Sequence, residues 1–234
     1  MVADTDNPDN PPANVEALQA EAAVLEAEGD VEGLCKVLVD LSLALSEQGQ
    51  AEEAVLTIET CIEKLDQIDN PAATVSALGM LGLFRAAAGR YSESTDAYII
   101  ALQEMEEMPP NVEEQIHCLN GIGRNLVALG DWQGAITQFR EVEALTRRSV
   151  LPQEELDAIA SQITLLEDHE DFEAVIPLYE RAEALFRLVG DAAGSTVMLR
   201  GLAIAYGKTG DREKALEFAQ KFEDAQNELK NEPE

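Results

Sequence analysis

Basic residues, aromatics, cysteines and long apolar runs are all scarce in this sequence, and each shortage excludes something. Sixteen lysines and arginines face 46 acids over 234 residues, leaving a formal net charge of -30. A surface so anionic repels a phosphate backbone, which excludes nucleic acid as a broad-surface partner. Only 5% of residues are aromatic, while alanine is abundant; that mixture favours close-packed helices over sheets. The three cysteines, Cys35, Cys61 and Cys118, stand far apart without CxxC spacing, so they predict neither a disulfide framework nor a structural zinc site but reduced core residues of a cytosolic protein. No run of about 18 apolar residues exists. Residues 1–14 are acidic and contain prolines where a signal peptide would be basic and then apolar, so no membrane insertion and a cytoplasmic location are expected.

What the sequence does contain is a ladder of turn signals. Gly29-Asp30, Gly49, Asp69-Asn70-Pro71, Gly89, Pro109-Pro110, Gly130-Asp131, Leu151-Pro152, Glu170-Asp171, Gly190-Asp191 and Gly210-Asp211 recur at a near-constant interval. Glycine, asparagine and proline end helices, whereas aspartate, asparagine and serine start them. Between the marks apolar residues fall at helical spacing, as in Leu38, Leu41 and Leu45, in Leu119, Ile122 and Leu126, and in Leu199, Leu202 and Tyr206. The pattern predicts about eleven helices of about 14 to 19 residues joined by tight turns, and tight turns force antiparallel hairpins.

The second helix of each hairpin opens on a repeated phrase, from GQAEEA at Gly49 through GRYSES, GDWQGA and EDFEAV to GDREKA at Gly210. Ala54, Ser94, Ala135, Val175 and Ala215 hold its phase at intervals of 40 or 41 residues. Four residues later stand Ile58, Tyr98, Phe139, Tyr179 and Ala219, and three further on Cys61, Ala101, Val142, Ala182 and Phe222. Small, then bulky, then small or apolar lets neighbouring helices approach while one side chain fills the gap. A period of this kind specifies a stack of similar hairpins, which a compact bundle does not require.

These residues resemble the tetratricopeptide repeat family, in its long-helix variety with a forty-residue period seen in Pins-type adaptors and kinesin light chains. The first-helix signature of that family is matched by Leu119, Ile122, Gly123 and Leu126 and by Leu199, Leu202, Ala203 and Tyr206. The resemblance implies an all-α, right-handed superhelical α-solenoid of antiparallel hairpins, about five repeats plus a leading helix. It places a single solenoid domain at 15–229, with hairpins near 31–68, 71–108, 111–149, 152–189 and 191–229, an acidic disordered tail at 1–14 and a second tail at 230–234. The fourth hairpin is irregular. Gln162 and Ile163 stand where an apolar and a small residue belong, and Pro177 lies inside the second helix, which predicts a kink or a late start there.

Catalytic and metal-binding constellations are thin. His117 beside Cys118 lacks a second Cys/His pair to complete a tetrahedral set, and His169 falls in a scheduled turn within Glu167–Asp171. Asp4, Asp6 and Asp9 lack the glycine and closing glutamate of a calcium loop. Gly121-Ile122-Gly123 lies within a helical apolar pattern rather than a phosphate loop. No enzyme, cofactor or metal is expected.

In the resembled family, stacked first helices line a concave groove that contacts ligands. Mapped onto this sequence, that face comprises Lys36, Val39, Asp40 and Leu43; Met80, Leu83 and Ala87; His117, Asn120, Arg124 and Val127; Ser161 and Thr164; and Arg200, Ile204 and Lys208. The mixed lining suits an extended peptide or an amphipathic helix, although some of these residues would serve equally as padding inside a superhelix. Arg124 and Arg200 would each hold either a partner carboxylate or an acidic side chain of the chain itself. Charge is uneven: 17 acids against 2 bases over 1–70, 10 against 6 over 71–150, and 19 against 8 over 151–234. Acidic ends keep exposed terminal helices soluble or attract a basic partner. The expected function is therefore a non-enzymatic protein-interaction scaffold or adaptor. The alternative is a peptide- or ligand-sensing regulatory module acting on a separate effector. Another protein or peptide is the expected partner, with a second copy of the chain also open.

Overall fold

A computed structural model describes residues 15–231; the tail expected at 1–14 and residues 232–234 lie outside them. Eleven helices account for the described residues, with no strand among them: α1 (Val15–Glu28), α2 (Val31–Glu47), α3 (Ala51–Leu65), α4 (Pro71–Ala87), α5 (Tyr91–Met105), α6 (Val112–Ala128), α7 (Trp132–Ser149), α8 (Pro152–Asp168), α9 (Phe172–Val189), α10 (Ala192–Thr209) and α11 (Arg212–Asn231). Two compact units divide between Gly130 and Asp131, within the span expected as the third hairpin. The first holds α1–α6 and the second α7–α11. In each unit every helix packs on the next in sequence, and in the first α4 also touches α2 and α6.

The turn ladder works through local chemistry. Asp30 and Asp131 accept a hydrogen bond from the amides of Gly33 and Gly134, each at 2.9 Å, and Asn70 and Asn111 do the same at 3.2 Å; such caps are worth about 1 kcal/mol each. Gly130 and Gly210 adopt φ of +83° and +87°, values that a Cβ would penalise. Where the ladder lacks glycine, Val150 and Glu170 take the same left-handed turn at φ 58°, at a cost of about 1–2 kcal/mol apiece.

The repeated phase is the core. Ala54, Ile58 and Cys61, and likewise Ser94, Tyr98 and Ala101, are shut off from solvent. Phe139, Val142, Tyr179 and Ala182 do the same in the second unit. On α11 the equivalent Ala215, Ala219 and Phe222 are only half-buried, because α11 packs on α10 alone among the described helices. Cys35 and Cys61 face each other between α2 and α3, each thiol donating to the other's carbonyl at 3.8 and 3.5 Å.

The irregular fourth hairpin is accommodated by polar chemistry. Gln162 is fully buried, and its Nε2 donates to Glu143 Oε2 of α7 at 2.8 Å, while its Oε1 has no partner. Glu155, 3% exposed, receives Arg181 at 2.7 and 3.0 Å and Arg147 at 3.1 Å, which joins α7, α8 and α9. Burial pushes the Glu155 carboxyl up, but the hydrogen bonds from Arg181 and Arg147 outweigh it and hold it below the usual carboxylate range. The late start expected near Pro177 does not occur. Helix α9 begins on schedule at Phe172, where Asp171 caps the Ala174 amide at 3.2 Å. Pro177 lies on the exposed side of α9, so its ring displaces no core side chain and the helix loses only the bond to the Glu173 carbonyl.

Candidate functional site

Helices α2, α4 and α6 are the first helices of their hairpins and carry the candidates of the first unit, of which Val39 and Met80 also pack against the core and His117 against Tyr98 of α5. Lys36, Val39 and Leu43 belong to α2, Met80 and Leu83 to α4, and His117, Asn120, Arg124 and Val127 to α6. None is buried. The helical period explains this: Leu41, Leu81 and Ile122 go to the core, and a residue two positions later is rotated by about 200°. Leu43 and Leu83 occupy the same position in successive first helices and are 37% and 43% exposed, with α4 touching α2. Arg124 holds the corresponding position on α6, and one helix turn on, Val127 is 42% exposed. Lys36 is engaged by Glu32 at 2.9 Å on its own helix.

Behind this face lies a residue that the sequence marks only as core. The Tyr98 ring of α5 is wedged between α4 and α6, so that a Cβ at Gly82 would lie 2.7 Å from it and one at Gly121 2.3 Å. His117 meets the ring edge-on at 5.6 Å between centroids. Tyr98 is 1% exposed, and its hydroxyl has no hydrogen-bond partner among the described residues. Burial pushes its pKa up to about 12, with the nearby Arg124 charge opposing, so the phenol is a neutral donor at pH 7. A polar stitch sets the spacing around it: Ser94 donates to the Gly82 carbonyl at 2.6 Å, and the buried Asn125 amide donates to Ser94 at 2.7 Å. Arg124 forms no ion pair with any described carboxylate, whereas Arg85, Arg90, Arg147, Arg181 and Arg187 all do.

The second unit places Ser161 and Thr164 on α8, and Arg200, Ile204 and Lys208 on α10, with α9 packed against both helices. Ser161 and Thr164 spend their hydroxyls on their own helix, donating to the carbonyls of Asp157 and Ala160 at 3.0 Å. Lys208 stands over the Phe172 ring at 5.5 Å. Arg200 has no ion pair with the described carboxylates, and Ile204 is 50% exposed. Tyr179 matches Tyr98 in the repeat and is wedged against Gly201, but its hydroxyl donates to Glu167 Oε1 of α8 at 2.8 Å. Burial and that bond both push its pKa up. His169 stacks on Trp132 at 4.2 Å and sets its Nδ1 2.8 Å from the Leu165 carbonyl oxygen, a turn contact. An open groove of about 510 Å³ runs between Glu183 of α9, Leu199 of α10 and Phe218 of α11, apart from all the candidates. No three metal-ligating side chains gather among the described residues, and no described helix is long and apolar enough to cross a membrane.

No protein-family model matches the chain, and no curated protein matches it in sequence. Solved structures do. BtubC from P. vanneervenii is similar at a TM-score of 0.67 and 14% identity, covering 94% of this chain and 92% of that one. Aspartyl phosphate phosphatase F from Bacillus subtilis aligns at 0.66 and 15% identity over 95% of this chain and 58% of its own. YrrB, described as a TPR protein with an unusual peptide-binding site, aligns at 0.56 and 19% identity over 92% and 94%. These likenesses show the fold, which is an all-α tetratricopeptide-type solenoid of stacked hairpins.

Proposed function

We propose that the chain is a non-enzymatic adaptor that docks a peptide or helical segment of another protein on the first-helix face of its first unit. The observation behind this reading is one row of equivalent positions. Leu43 and Leu83 are exposed at equivalent positions of α2 and α4, and Arg124, next in the row, makes no ion pair with a described carboxylate in a chain of net charge -30. Exposed aliphatic side chains in register offer area to an amphipathic segment, and a flanking arginine fixes its orientation. The tetratricopeptide-type fold fits the reading, since the similar YrrB is described as having a peptide-binding site. Arg200, Ile204 and Lys208 form a second, smaller candidate surface in the second unit.

The test begins with peptides selected from a displayed random library on the purified protein. Their affinity is then measured against Leu83→Glu, Arg124→Glu, Arg200→Glu, Lys64→Glu and Arg90→Glu. Leu83→Glu and Arg124→Glu are expected to weaken binding by about 2 to 5 kcal/mol with unchanged circular dichroism. Lys64 and Arg90, paired on the surface with Glu26 and Glu52, should change it by less than about 1 kcal/mol. Loss of binding only in the surface variants would move the docking site to the second-helix face.

A further inference from the structure

The two tyrosines at the bulky position of a second helix are solved differently. Tyr98 and Tyr179 stand 81 residues apart, two repeat periods, each at the bulky position of a second helix and each wedged against a glycine of the following first helix, Gly121 or Gly201. In the second unit the phenol donates to Glu167, and the Arg200 charge acts on it from α10. Counting back the same 81 residues from Glu167 gives Ala86 on α4. The first unit thus keeps the tyrosine and the glycine, carries its arginine, Arg124, one helix turn beyond Asn120, the counterpart of Arg200, and lacks the carboxylate that completes the set.

The remaining groups behave as half of a site. The Tyr98 side chain is almost wholly buried, yet its oxygen is not among the sealed unpartnered atoms, which are Arg85 Nε and Gln162 Oε1. It therefore keeps a slight contact with solvent, with Gly82 of α4 and Gly121 of α6 against its ring. Arg124 lies near enough to act on the phenol and has no described carboxylate. Glu114, beside His117 and Gly79, sets negative charge toward the start of α6, which leaves the Arg124 side as the electropositive end. Residues 71–150, where the site lies, form the least acidic stretch of the chain, with 10 acids against 6 bases.

We infer that the first unit takes the side-chain carboxylate of a glutamate from the docked partner segment, held by the Tyr98 hydroxyl and the Arg124 guanidinium in the role that Glu167 plays for Tyr179. The inference rests on the docking reading and names the residue that reading left open. A phenol that is deeply buried gains a charged acceptor without losing a protein partner, so the contact is favourable on both sides. Leu83, one position before Phe84 of the α4 core and exposed, supports the aliphatic stem of the same segment.

The test is NMR of protein labelled at tyrosine Cζ, with Tyr98 assigned through Tyr98→Phe. N-acetylglutamate amide, which has only a side-chain carboxylate, should shift the Tyr98 signal saturably. N-acetylglutamine amide at matched ionic strength should not, and the Tyr179 signal should stay still. Arg124→Gln should weaken the response about tenfold. Ala86→Glu, which restores the internal carboxylate, should displace the Tyr98 signal in the free protein and abolish the response. No saturable shift, or an equal shift in Arg124→Gln, overturns the inference. So does an equal response to N-acetylalanine, which would assign the site to a chain terminus. If Tyr98 stays still while Leu83→Glu still loses the selected peptides, docking stands and the carboxylate assignment falls; the converse separates them the other way.

Discussion

Gly121 of α6 lies so close to Tyr98 of α5 that a Cβ on the glycine would come within 2.3 Å of the ring. The α5–α6 spacing is therefore set by the absence of one methyl group. Gly121→Ala should destabilise the protein by about 1–3 kcal/mol through overpacking, overriding the roughly 1 kcal/mol that alanine gains in a helix interior. Urea denaturation measures it, and adding Tyr98→Leu should recover part of the loss. A variant as stable as wild type would mean that the ring moves aside freely.

The hydroxyls of the two equivalent tyrosines should have unequal worth. Tyr179→Phe removes a hydrogen bond to the Glu167 carboxylate and should cost about 1–2 kcal/mol. Tyr98→Phe removes a hydroxyl with no partner among the described residues and should leave the melting temperature of the free protein unchanged. Equal losses would reveal a partner for the Tyr98 hydroxyl.

Glu155 gives the second unit an acid-sensitive joint. Its carboxyl is held below the usual range by Arg181 and Arg147, so its contribution is present above the unfolded-state value and disappears as pH falls through the lower folded-state value. Glu155→Gln should cost about 2–3 kcal/mol near pH 7, at the modest end for a buried pair because both arginines are partly exposed. The gap between variant and wild type should narrow below about pH 4. A gap independent of pH would show that packing, not charge, is lost.

Gln162 is polar where its counterparts Leu41, Leu81, Ile122 and Leu202 are apolar, and its Oε1 is buried without a partner. Gln162→Leu should be neutral or stabilising by up to about 1 kcal/mol, since an unpartnered buried oxygen disappears and Glu143 keeps its contact with Arg147. Gln162→Ala should cost about 2 kcal/mol through the cavity it leaves. Chemical denaturation of the pair decides the point, and a large loss in Gln162→Leu would make the bond to Glu143 essential.

Net charge of -30 makes self-repulsion a global term. The melting temperature should rise between dilute buffer and about 0.15 M salt as the Debye length shortens to about 8 Å. A fall would mean that surface pairs such as Lys64–Glu26, at 2.8 Å, outweigh the repulsion.

Helix number, turn positions and the buried phase were legible in the sequence because each depends on local periodicity and capping. A glycine followed by aspartate stops one helix and caps the next wherever it occurs, as at Gly130-Asp131. A residue two positions past a core leucine turns to solvent in any helix of this period, as Leu43 and Leu83 do. Pro177 shows the limit of such rules: its cost and the Asp171 cap just before it were legible, but the solvent-facing placement of its ring was decided by the surrounding helices.

What only the tertiary structure decided is which polar groups find each other. Glu155 with Arg147 and Arg181, Gln162 with Glu143, and Asn125 with Ser94 join different helices at separations of 8, 26, 19 and 31 residues. No local pattern encodes such pairings, because each depends on the lateral spacing of packed helices. The same holds for the two tyrosines. The sequence by itself determined that Tyr98 and Tyr179 would be buried at one phase of the repeat; only packing decided that the Tyr179 hydroxyl would meet Glu167 while that of Tyr98, near Arg124, would have no partner among the described residues, since a hydroxyl's partner is fixed by distances of a few tenths of an ångström.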